Sequence, residues 1–598
     1  MRLRYLHIRD CTPLDDVHVV FGQETMLNRE YAINFVVGIN GTGKSTLLRA
    51  LYTVFRRLDE ANLPPFPVTL VYDVGSRNNA RTVLFHHPGD GKSKAFFYVT
   101  PTGSWPDEDT EGWQGFAEMI SLNQKEQTYV SAEDFQGNNL LQEFLPRRVI
   151  AYTSGTVEEW HKIERPVFPE GELPEEPEEV LPEERPAGWT AQKEILRGVE
   201  EGVLVSESGE KIVDESGAGI AISSPSFRMS SLGRCRLVTP TEIKLAGLAF
   251  GIWHAYMEFR GMSDSDSRDT ARRTPLSNHL EDQIGSARGL LDKVDWLWPT
   301  HLTLTLRTDV SQMTEERRAQ LLCLLCMADA GVKQPLDRAR VVVSVSQIRK
   351  FDISDRLTNL IPMEQPETIK RFADSVGRAM NGAEALCRLF ALQPHLWATF
   401  EALQQWHQEG LLEDATLSIR QMRSDGVIVY ESLSDGEQML LGRMALLFLL
   451  KQQEDSLLLL DEPETHFNDF WKREIVDLIH HNLADTTVQV LVATHSSIAL
   501  SDAFTEEVAL LAKDDGEVRA VSLRSPVFGA DPSEIMMNVF GAKDSIGQRS
   551  LEYLEHLLKR DWKFEDKQEL EDILKKLGSG FHRAELRAVL KKLYASQD

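Results

Sequence analysis

The sequence has few cysteines and no long hydrophobic run. Five cysteines in 598 residues are too few and too scattered for a disulfide framework, which favours a reducing compartment. The close pair Cys323 and Cys326 lies on an apolar helical stretch, with no second pair to complete a zinc site, so we expect both to be core residues. No signal-like N-terminus and no run of about 18 apolar residues occurs, so we expect a cytoplasmic protein without a membrane partner.

Basic residues are also in deficit. Lys plus Arg number 65 against 92 Asp plus Glu, a net charge of −27, which excludes a basic field over the whole surface. A DNA or RNA partner is possible only through a local basic patch, for which Arg268, Arg272 and Arg273 are candidates. Apolar residues at 42% and charged residues at 26% indicate an ordinary globular protein.

The hydrophobic periodicity and the composition along the chain predict an α/β core that is split by a largely helical insertion. A strand, turn and helix open the chain, a Pro- and Glu-rich stretch follows (FPEGELPEEPEEVLPEERP), and helix and strand alternate again after a hairpin that turns at SDG. We predict an N-terminal lobe at 1–155, an acidic linker or insertion at 156–235, a mainly helical insertion at 236–414, a C-terminal lobe at 415–545, and a C-terminal helical segment at 546–598.

Residues 38–45 read GINGTGKS and match the phosphate-binding loop pattern, with a strand before them and an amphipathic helix after them. Backbone N–H groups would curl round the β-phosphate, Lys44 would reach the β and γ oxygens, and Ser45 would offer its hydroxyl to Mg²⁺. The motif alone predicts a nucleoside triphosphate with Mg²⁺, and the remaining motifs of the chain make ATP the expected cofactor. The residues expected at the nucleotide are Gly38, Asn40, Gly41, Gly43, Lys44, Ser45 and Thr46.

A second motif, SLLLLDEPE at 456–464, is a buried strand that ends in two carboxylates. In this Walker B arrangement Asp461 would hold Mg²⁺ through water and Glu462 would polarise the attacking water. A further apolar strand ends at His495, within expected reach of the γ-phosphate. We therefore predict Ser45 and Asp461 as metal residues and Glu462 and His495 as catalytic residues.

The third motif, LSDGEQ at 433–438, opens a helix and places Ser434 and Gly436 at its N-terminus, where anions bind. One P-loop already accounts for one nucleotide. A second anion site therefore implies a second subunit, so we predict a homodimer.

In this order, GINGTGKST, LSDGEQ, LLLLDEPE and ATHS resemble the ABC-type ATPase heads of the SMC, RecF and OLD group. The closest resemblance is to the DEPETH-bearing AAA-family ATPases of bacterial restriction and anti-phage systems, including those of the Septu type. The motifs cover 1–155 and 415–545. The resemblance implies an ABC-type P-loop ATPase head, with nucleotide held between the Walker motifs of one protomer and the signature of the other.

The resemblance also implies roles for single residues. Lys44, Ser45 and Thr46 would bind triphosphate and Mg²⁺, Glu462 would be the catalytic base, and His495 the switch histidine. Ser434, Gly436 and Gln438 would act in trans, and Glu464 to His466 would lie at the dimer seam. Asp435 and Glu437 depart from the transporter signature. The Mg²⁺-sensing glutamine stays open among Gln124, Gln127, Gln136 and Gln142.

Three functional classes compete. The first is a sensor or regulator of a separate effector, such as an HNH nuclease, in anti-phage defence. The second is an OLD-like ATPase with its own nuclease, which the 103 residues after His495 hardly accommodate. The third is a RecF- or SMC-like DNA-repair ATPase, although no long coiled coil is visible. The apolar stripes of the C-terminal helices favour the first class, if they serve as a docking module; the alternative is that they pack on their own lobe.

Overall fold

The structure is a computed structural model. It describes residues 1–22, 29–60, 62–75, 80–89, 95–101, 110–122, 128–129, 144–155, 157–164, 233–259, 296–307, 314–334, 338–360, 366–392, 394–421, 426–450, 454–484, 486–514, 516–542, 544 and 546–595. Most of the acidic stretch, the three candidate arginines (Arg268, Arg272 and Arg273) and the four candidate glutamines (Gln124, Gln127, Gln136 and Gln142) lie outside these residues. Within them, no helix is both long enough and apolar enough to cross a bilayer.

The strands belong to three sheets. In chain order they are β1 (Arg2–Cys11), β2 (Leu14–Val20), β3 (Ala32–Val37), β4 (Val68–Val74), β5 (Arg81–His87), β6 (Phe96–Pro101), β7 (Thr128–Tyr129), β8 (Arg148–Thr153), β9 (Cys235–Val238), β10 (Trp296–Arg307), β11 (Ala330–Gln334), β12 (Arg338–Ser344), β13 (Leu412–Gln421), β14 (Val427–Val429), β15 (Ser456–Asp461), β16 (Gln489–Thr494), β17 (Val508–Asp514) and β18 (Glu517–Val521).

The helices cover the sheets and form the C-terminal segment. In chain order they are α1 (Lys44–Asp59), α2 (Thr110–Leu122), α3 (Glu158–Glu164), α4 (Pro240–Phe259), α5 (Glu315–Met327), α6 (Ile353–Leu360), α7 (Glu367–Gly377), α8 (Gly382–Ala391), α9 (Leu396–Gln408), α10 (Asp435–Leu450), α11 (Asp469–Leu483), α12 (Ser497–Leu500), α13 (Pro532–Asn538), α14 (Gln548–Lys559), α15 (Lys567–Lys576) and α16 (Phe581–Ala595).

A seven-stranded sheet with the order β18-β17-β3-β16-β15-β8-β9 forms the centre. All its neighbours pair in parallel except β17 and β18. Strands β3, β15 and β16 are buried at every residue, as expected where helices or sheets cover both faces. Because carboxyl ends of parallel strands meet at one edge, the P-loop after β3 and the carboxylates at the end of β15 face the same edge. The predicted α/β core is confirmed.

Two antiparallel sheets lie on opposite sides of this centre. Helix α1 packs with the six-stranded sheet (β2-β1-β4-β5-β6-β7) against one face of the central sheet. On the other face, α4 and α10 pack with the five-stranded sheet (β11-β12-β10-β13-β14) and the insertion helices. Cys323 and Cys326 are buried in this second core, as predicted.

The insertion contributes three strands, β10, β11 and β12, to the five-stranded sheet. The hairpin of β13 and β14 is present as expected, but β13 also pairs along its length with β10 of the insertion. The predicted boundary between 414 and 415 therefore falls inside β13, and that between 235 and 236 falls inside β9. These ends pair through sheet hydrogen bonds with residues far away in sequence, which a local pattern does not reveal.

The three C-terminal helices form a small core of their own. Their apolar stripes meet around Leu557, Trp562, Leu570, Leu574 and Leu586. The Trp562 indole donates a hydrogen bond to the Leu557 carbonyl oxygen at 2.7 Å. The stripes are thus largely used within the segment, which neither of the two alternatives set out above anticipated.

Candidate nucleotide site

The P-loop joins β3 to α1 through glycines that no other residue could replace without strain. Gly43 has φ of 85°, and a Cβ there would lie 2.7 Å from Leu14 Cδ2. A Cβ at Gly38 would lie 2.5 Å from the Leu511 carbonyl oxygen. The loop is therefore confined between β17 and the turn from β1 to β2. Helix α1 begins directly after it, at Lys44.

The start of α1 is suited to an anion. Its N-cap residue is Gly43, and no side chain caps the first turn, so the N–H groups there are left for another partner. The helix dipole favours negative charge at the same place. These N–H groups and Lys44 are the donors that a triphosphate requires.

Lys44 is held inside the loop. Its Nζ donates hydrogen bonds to the carbonyl oxygens of Gly38 at 2.9 Å and Ile39 at 3.3 Å. Burial lowers the pKa of the Lys44 ammonium, and the carboxylates of Glu462, Asp461 and Glu464 oppose this shift. The ammonium therefore lies between the loop carbonyls and a group of carboxylates.

Ser45 and Asp461 meet, although 416 positions separate them. The Ser45 hydroxyl donates to Asp461 Oδ1 at 2.8 Å, and the Thr153 hydroxyl donates to Oδ2 at 3.3 Å. Burial raises the pKa of Asp461, and the hydrogen bond from Ser45 opposes that rise. A hydroxyl beside a carboxylate is a hard oxygen pair of the kind Mg²⁺ prefers, so these residues fit the expected ion.

Glu462 projects from a strained turn toward His495. Its backbone φ is 50°, and its N–H donates to the Ala493 carbonyl oxygen at 2.9 Å. Oε1 lies 3.3 Å from His495 Nδ1. This contact lowers the pKa of Glu462 and raises the pKa of His495.

Glu464 is a site residue whose role the motif analysis missed. Its side chain is 3% exposed, so it cannot present its carboxylate at a dimer seam. Oε1 accepts hydrogen bonds from the Thr494 hydroxyl and, at 3.4 Å, from the His495 N–H. Glu464 therefore fixes the end of β16 from which His495 projects.

Strand β8 also contributes groups that sequence reasoning did not assign. Besides Thr153, the Ser154 hydroxyl donates to the Glu462 carbonyl oxygen at 2.8 Å, and the Ser154 N–H donates to the Asp461 carbonyl oxygen at 3.3 Å. The available signal was a pair of hydroxyl residues at the end of a predicted strand. The sequence does not show that β8 lies beside β15, and both roles depend on that neighbour.

The signature residues form the start of α10. The Ser434 N–H donates to Glu437 Oε2 at 2.9 Å and the Glu437 N–H donates to Ser434 Oγ at 3.4 Å, which together form a capping box. The Ser434 hydroxyl also donates to Glu437 Oε2, at 2.7 Å. The Gln438 amide donates to the Leu433 carbonyl oxygen at 2.9 Å. Gly436 lies beside the turn after Walker B, where a Cβ would be 3.5 Å from the His466 carbonyl oxygen.

The remaining predicted residues lie in or beside the P-loop. Asn40 is exposed, and with Ile39 and His495 it lines a cavity of about 360 Å³ that Met536 and Phe540 close on one side. The Thr46 hydroxyl accepts a hydrogen bond from Arg49 at 3.1 Å. Among the described residues, no hydrogen bond links Ser434 to the P-loop of its own chain.

Comparison with known proteins bears on the second half of the site. Residues 332–502 match the sequence family described as “AAA domain, putative AbiEii toxin, Type IV TA system”. The match includes the signature, Walker B and His495, whereas the P-loop lies outside it. A search of curated proteins finds no match to the chain.

Solved structures similar to the chain include several SMC heads. The SmcHead bound to the C-winged helix domain of ScpA is 11% identical, covering 88% of this chain and 98% of that one, with a TM-score of 0.31. The SMC head domain from Thermotoga maritima is 12% identical, covering 88% and 100%, with a TM-score of 0.29. A Smc head domain derived from Pyrococcus furiosus, with an extended coiled coil and bound to the C-terminal domain of ScpA, is 11% identical, covering 87% and 96%, with a TM-score of 0.28.

These TM-scores are low, so the assignment of the nucleotide site rests on the geometry of this chain and on the family match. The P-loop and Walker B meet at one edge of a parallel sheet, and an insertion separates them in sequence. The matched family is an AAA domain. The chain therefore contains a P-loop core in which the two Walker motifs meet, and its residues 332–502 are similar to the AAA domain family.

Proposed function

We propose that this protein binds and hydrolyses ATP with Mg²⁺ in a head-to-tail homodimer, and that its nucleotide state controls a separate effector, a nuclease, in bacterial anti-phage defence. The observation that carries the ATPase part is the meeting of Ser45 and Asp461 at 2.8 Å beside the uncapped start of α1. Lys44 and the N–H groups would hold the triphosphate. Ser45 and Asp461 would hold Mg²⁺, which offsets the charge that develops on the phosphates.

Glu462 is placed to act on water. Its carboxylate lies at the carboxyl end of β15, one residue after Asp461, and is partly exposed. The contact with His495 keeps Glu462 ionised, because it lowers the pKa of that carboxyl. An ionised carboxylate accepts a proton from an attacking water, and His495 orients that carboxylate.

The dimer is supported by the position of the signature. Ser434 is exposed and lies at the N-terminus of α10, yet within the described residues no hydrogen bond joins it to its own P-loop. An exposed helix start that its own nucleotide does not use fits the triphosphate of a second copy, which would replace Glu437 as the acceptor of the Ser434 hydroxyl hydrogen bond. A two-fold axis would then create two equal composite sites.

The effector part rests on two supports. The description of the matching family names a type IV toxin–antitoxin system, which is an arrangement with more than one component. The C-terminal helices have their own core and expose apolar side chains, Phe581 at 73% and Tyr553 at 53%. We propose that residues 546–598 recruit the effector.

Mixing of inactive variants tests the shared ATP site. Lys44→Ala removes the phosphate contact and should abolish ATP binding, and Ser434→Arg blocks the signature. In a mixed dimer one of the two sites has an intact P-loop and an intact signature, so an equal mixture should recover about a quarter of wild-type ATP hydrolysis. Phosphate release is the measurement.

A matched mixture of Lys44→Ala with Glu462→Gln is the control. Both changes damage the protomer that supplies the Walker motifs, so each site of the mixed dimer stays defective and no activity should return, although Glu462→Gln alone retains ATP binding. If neither mixture recovers ATP hydrolysis, the hypothesis of a shared ATP site is contradicted. Equal ATP affinity of Lys44→Ala and wild type would contradict the assignment of the P-loop.

A further inference from the structure

A cluster of His7, Asp16 and His18 lies on the six-stranded sheet, away from the residues assigned to ATP. His7 and His18 stand directly opposite each other on β1 and β2, and Asp16, two residues before His18 on β2, stands opposite Arg9. Because side chains two positions apart on a strand point to the same face, Asp16 and His18 share the face of His7. This pairing brings two imidazoles and one carboxylate together.

The ligand atoms of the His–Asp–His cluster lie close together. Asp16 Oδ1 lies 2.7 Å from His7 Nε2 and 3.6 Å from His18 Nε2, and the ligand atoms all lie within 4.8 Å of one another. Zinc binds nitrogen and oxygen ligands at about 2.0–2.2 Å, which places tetrahedral ligands about 3–3.5 Å apart. The two distances from Asp16 would change by a few tenths of an ångström to reach such a spacing. The imidazoles stack on each other with ring centroids 3.8 Å apart, so both rings would also turn toward the ion.

Tyr5 holds His18 in the orientation that a metal needs. Its buried hydroxyl lies 2.6 Å from His18 Nδ1. When the hydroxyl accepts the Nδ1 hydrogen, the lone pair of Nε2 faces Asp16, an outer contact of the kind that orients metal-bound histidines. Tyr5 stacks on Trp113 of α2, with ring centroids 6.3 Å apart, which fixes the hydroxyl in turn.

The site is open on one side. The two imidazoles are about one-fifth exposed, and Asp16 is 69% exposed. The Gln114 amide nitrogen lies 3.0 Å from His18 Nδ1 and 3.1 Å from His18 Nε2, so this amide must rotate when a metal takes the Nε2 lone pair. Burial lowers the pKa of His7 and, with the charge of His7, lowers that of His18 to about 4, so both rings are neutral near pH 7.

We propose that His7, Asp16 and His18 bind one divalent transition-metal ion, Zn²⁺ in the first instance, with solvent completing the coordination. Imidazole suits zinc, copper, iron and nickel, and a single carboxylate without sulfur fits the borderline ions among them. Three protein ligands leave a position open, as in zinc sites that hold water or a small ligand.

The two strands that carry the site are joined by a turn that reaches the P-loop. The turn from β1 to β2 contacts the P-loop, because Pro13 and Leu14 occupy the space where a Cβ of Gly43 would be. An ion bound to this site would join β1 to β2, and its nearest ligand to this turn, Asp16, lies two residues after Leu14. Binding to the folded state alone would raise the melting temperature of the chain.

The test uses the full-length chain without a histidine tag or nucleotide, stripped of metal with a chelator. Zn²⁺ affinity is measured by competition with a chromogenic chelator, and Co²⁺ binding by visible absorption. We expect about one equivalent per chain for wild type, and for His18→Gln and Asp16→Asn an affinity at least about tenfold weaker. Asp16→Asn is exposed and nearly isosteric, so it tests the site even if His18→Gln destabilises the strand.

Two control variants separate this site from other histidines and from the ATP site. His86→Gln changes a histidine on β5 of the same sheet, whose Nδ1 bonds to Thr69. Asp461→Asn changes the expected Mg²⁺ residue. Both should keep the wild-type Zn²⁺ equivalent and the Co²⁺ spectrum. No uptake by wild type, or uptake that Asp16→Asn and His18→Gln leave unchanged, overturns the proposal whatever the chain does with ATP.

Discussion

His495 and Glu462 depend on each other for their charge. The contact between them raises the pKa of His495 from its usual 6.5 and lowers that of Glu462 from its usual 4.5. The stabilisation from His495 is complete below pH 6.5 and is lost as pH rises through its folded pKa. The stabilisation from Glu462 is complete above pH 4.5 and is lost as pH falls through its folded pKa. The pair therefore contributes most to the free energy of unfolding between pH 4.5 and pH 6.5.

Glu462→Gln should for this reason lower the melting temperature more at about pH 5.5 than at about pH 9, because the stabilisation from His495 is lost as pH rises through its folded pKa. Calorimetry at the two pH values is the measurement. Glu517→Gln is the matched control, because Glu517 pairs with Arg519, which keeps its charge throughout this range. A temperature difference for Glu462→Gln that does not change with pH would show that the pair does not couple the two groups.

Individual site residues differ in how far the sequence reveals them. Lys44, Ser45 and Asp461 were predictable together, because a P-loop and a strand-end carboxylate have one known geometry in parallel sheets. Thr153 and Glu464 were not, because their roles depend on β8 lying next to β15 and on the turn after Walker B folding back to β16. Contacts between residues that are distant in the sequence produce no recognisable motif spacing.

Helix α10 is attached to the Walker B turn through one buried cation. Arg443 is 6% exposed, and its guanidinium donates to the Tyr152 hydroxyl of β8 at 2.9 Å and to the Thr465 carbonyl oxygen at 3.1 Å. The same group lies 4.4 Å from the centre of the Phe467 ring. The helix that begins with the signature is thus joined to both β8 and the segment after Glu464.

Tyr152→Phe should destabilise this junction by about 1–3 kcal/mol, because the buried guanidinium loses an acceptor. Replacing both residues, with Arg443→Met added, removes the unpaired charge and should cost less than the sum of the single changes. Hydrogen exchange in α10 and thermal unfolding measure the effect. Additive losses in the double variant would mean that the two side chains act independently.

The elements were easier to predict than their partners. Helix α1 has the apolar face that its periodicity predicted, and β13 and β14 form the predicted hairpin. That β13 also pairs with β10, more than a hundred residues earlier in the chain, is a long-range contact. The alternating pattern HLTLTLR within β10 indicates a strand, but it does not show which strand is its partner, because sheet partners are selected by packing and not by local pattern.

At the scale of the whole molecule, the C-terminal helices are joined to the ATPase core through few described contacts, among them an ion pair between His582 and Asp544 at 2.9 Å. Deletion of 546–598 should therefore leave ATP binding unchanged and abolish co-purification with the product of the neighbouring gene. Phe581→Ser should weaken co-purification, whereas Lys591→Ser on the same helix should not. Loss of ATP binding on deletion would instead make the segment part of the ATPase core.

The central sheet has a consequence for how the protein is made. Strand β3 carries the P-loop and lies between β16 and β17, so both of its neighbours are translated more than 450 residues after it. At about 5–20 residues per second, the ribosome needs tens of seconds to supply them. Throughout that time the nascent chain carries an apolar strand without a partner, together with the apolar face of α1. We therefore expect newly synthesised chains to require chaperones until β16 and β17 have emerged from the ribosome.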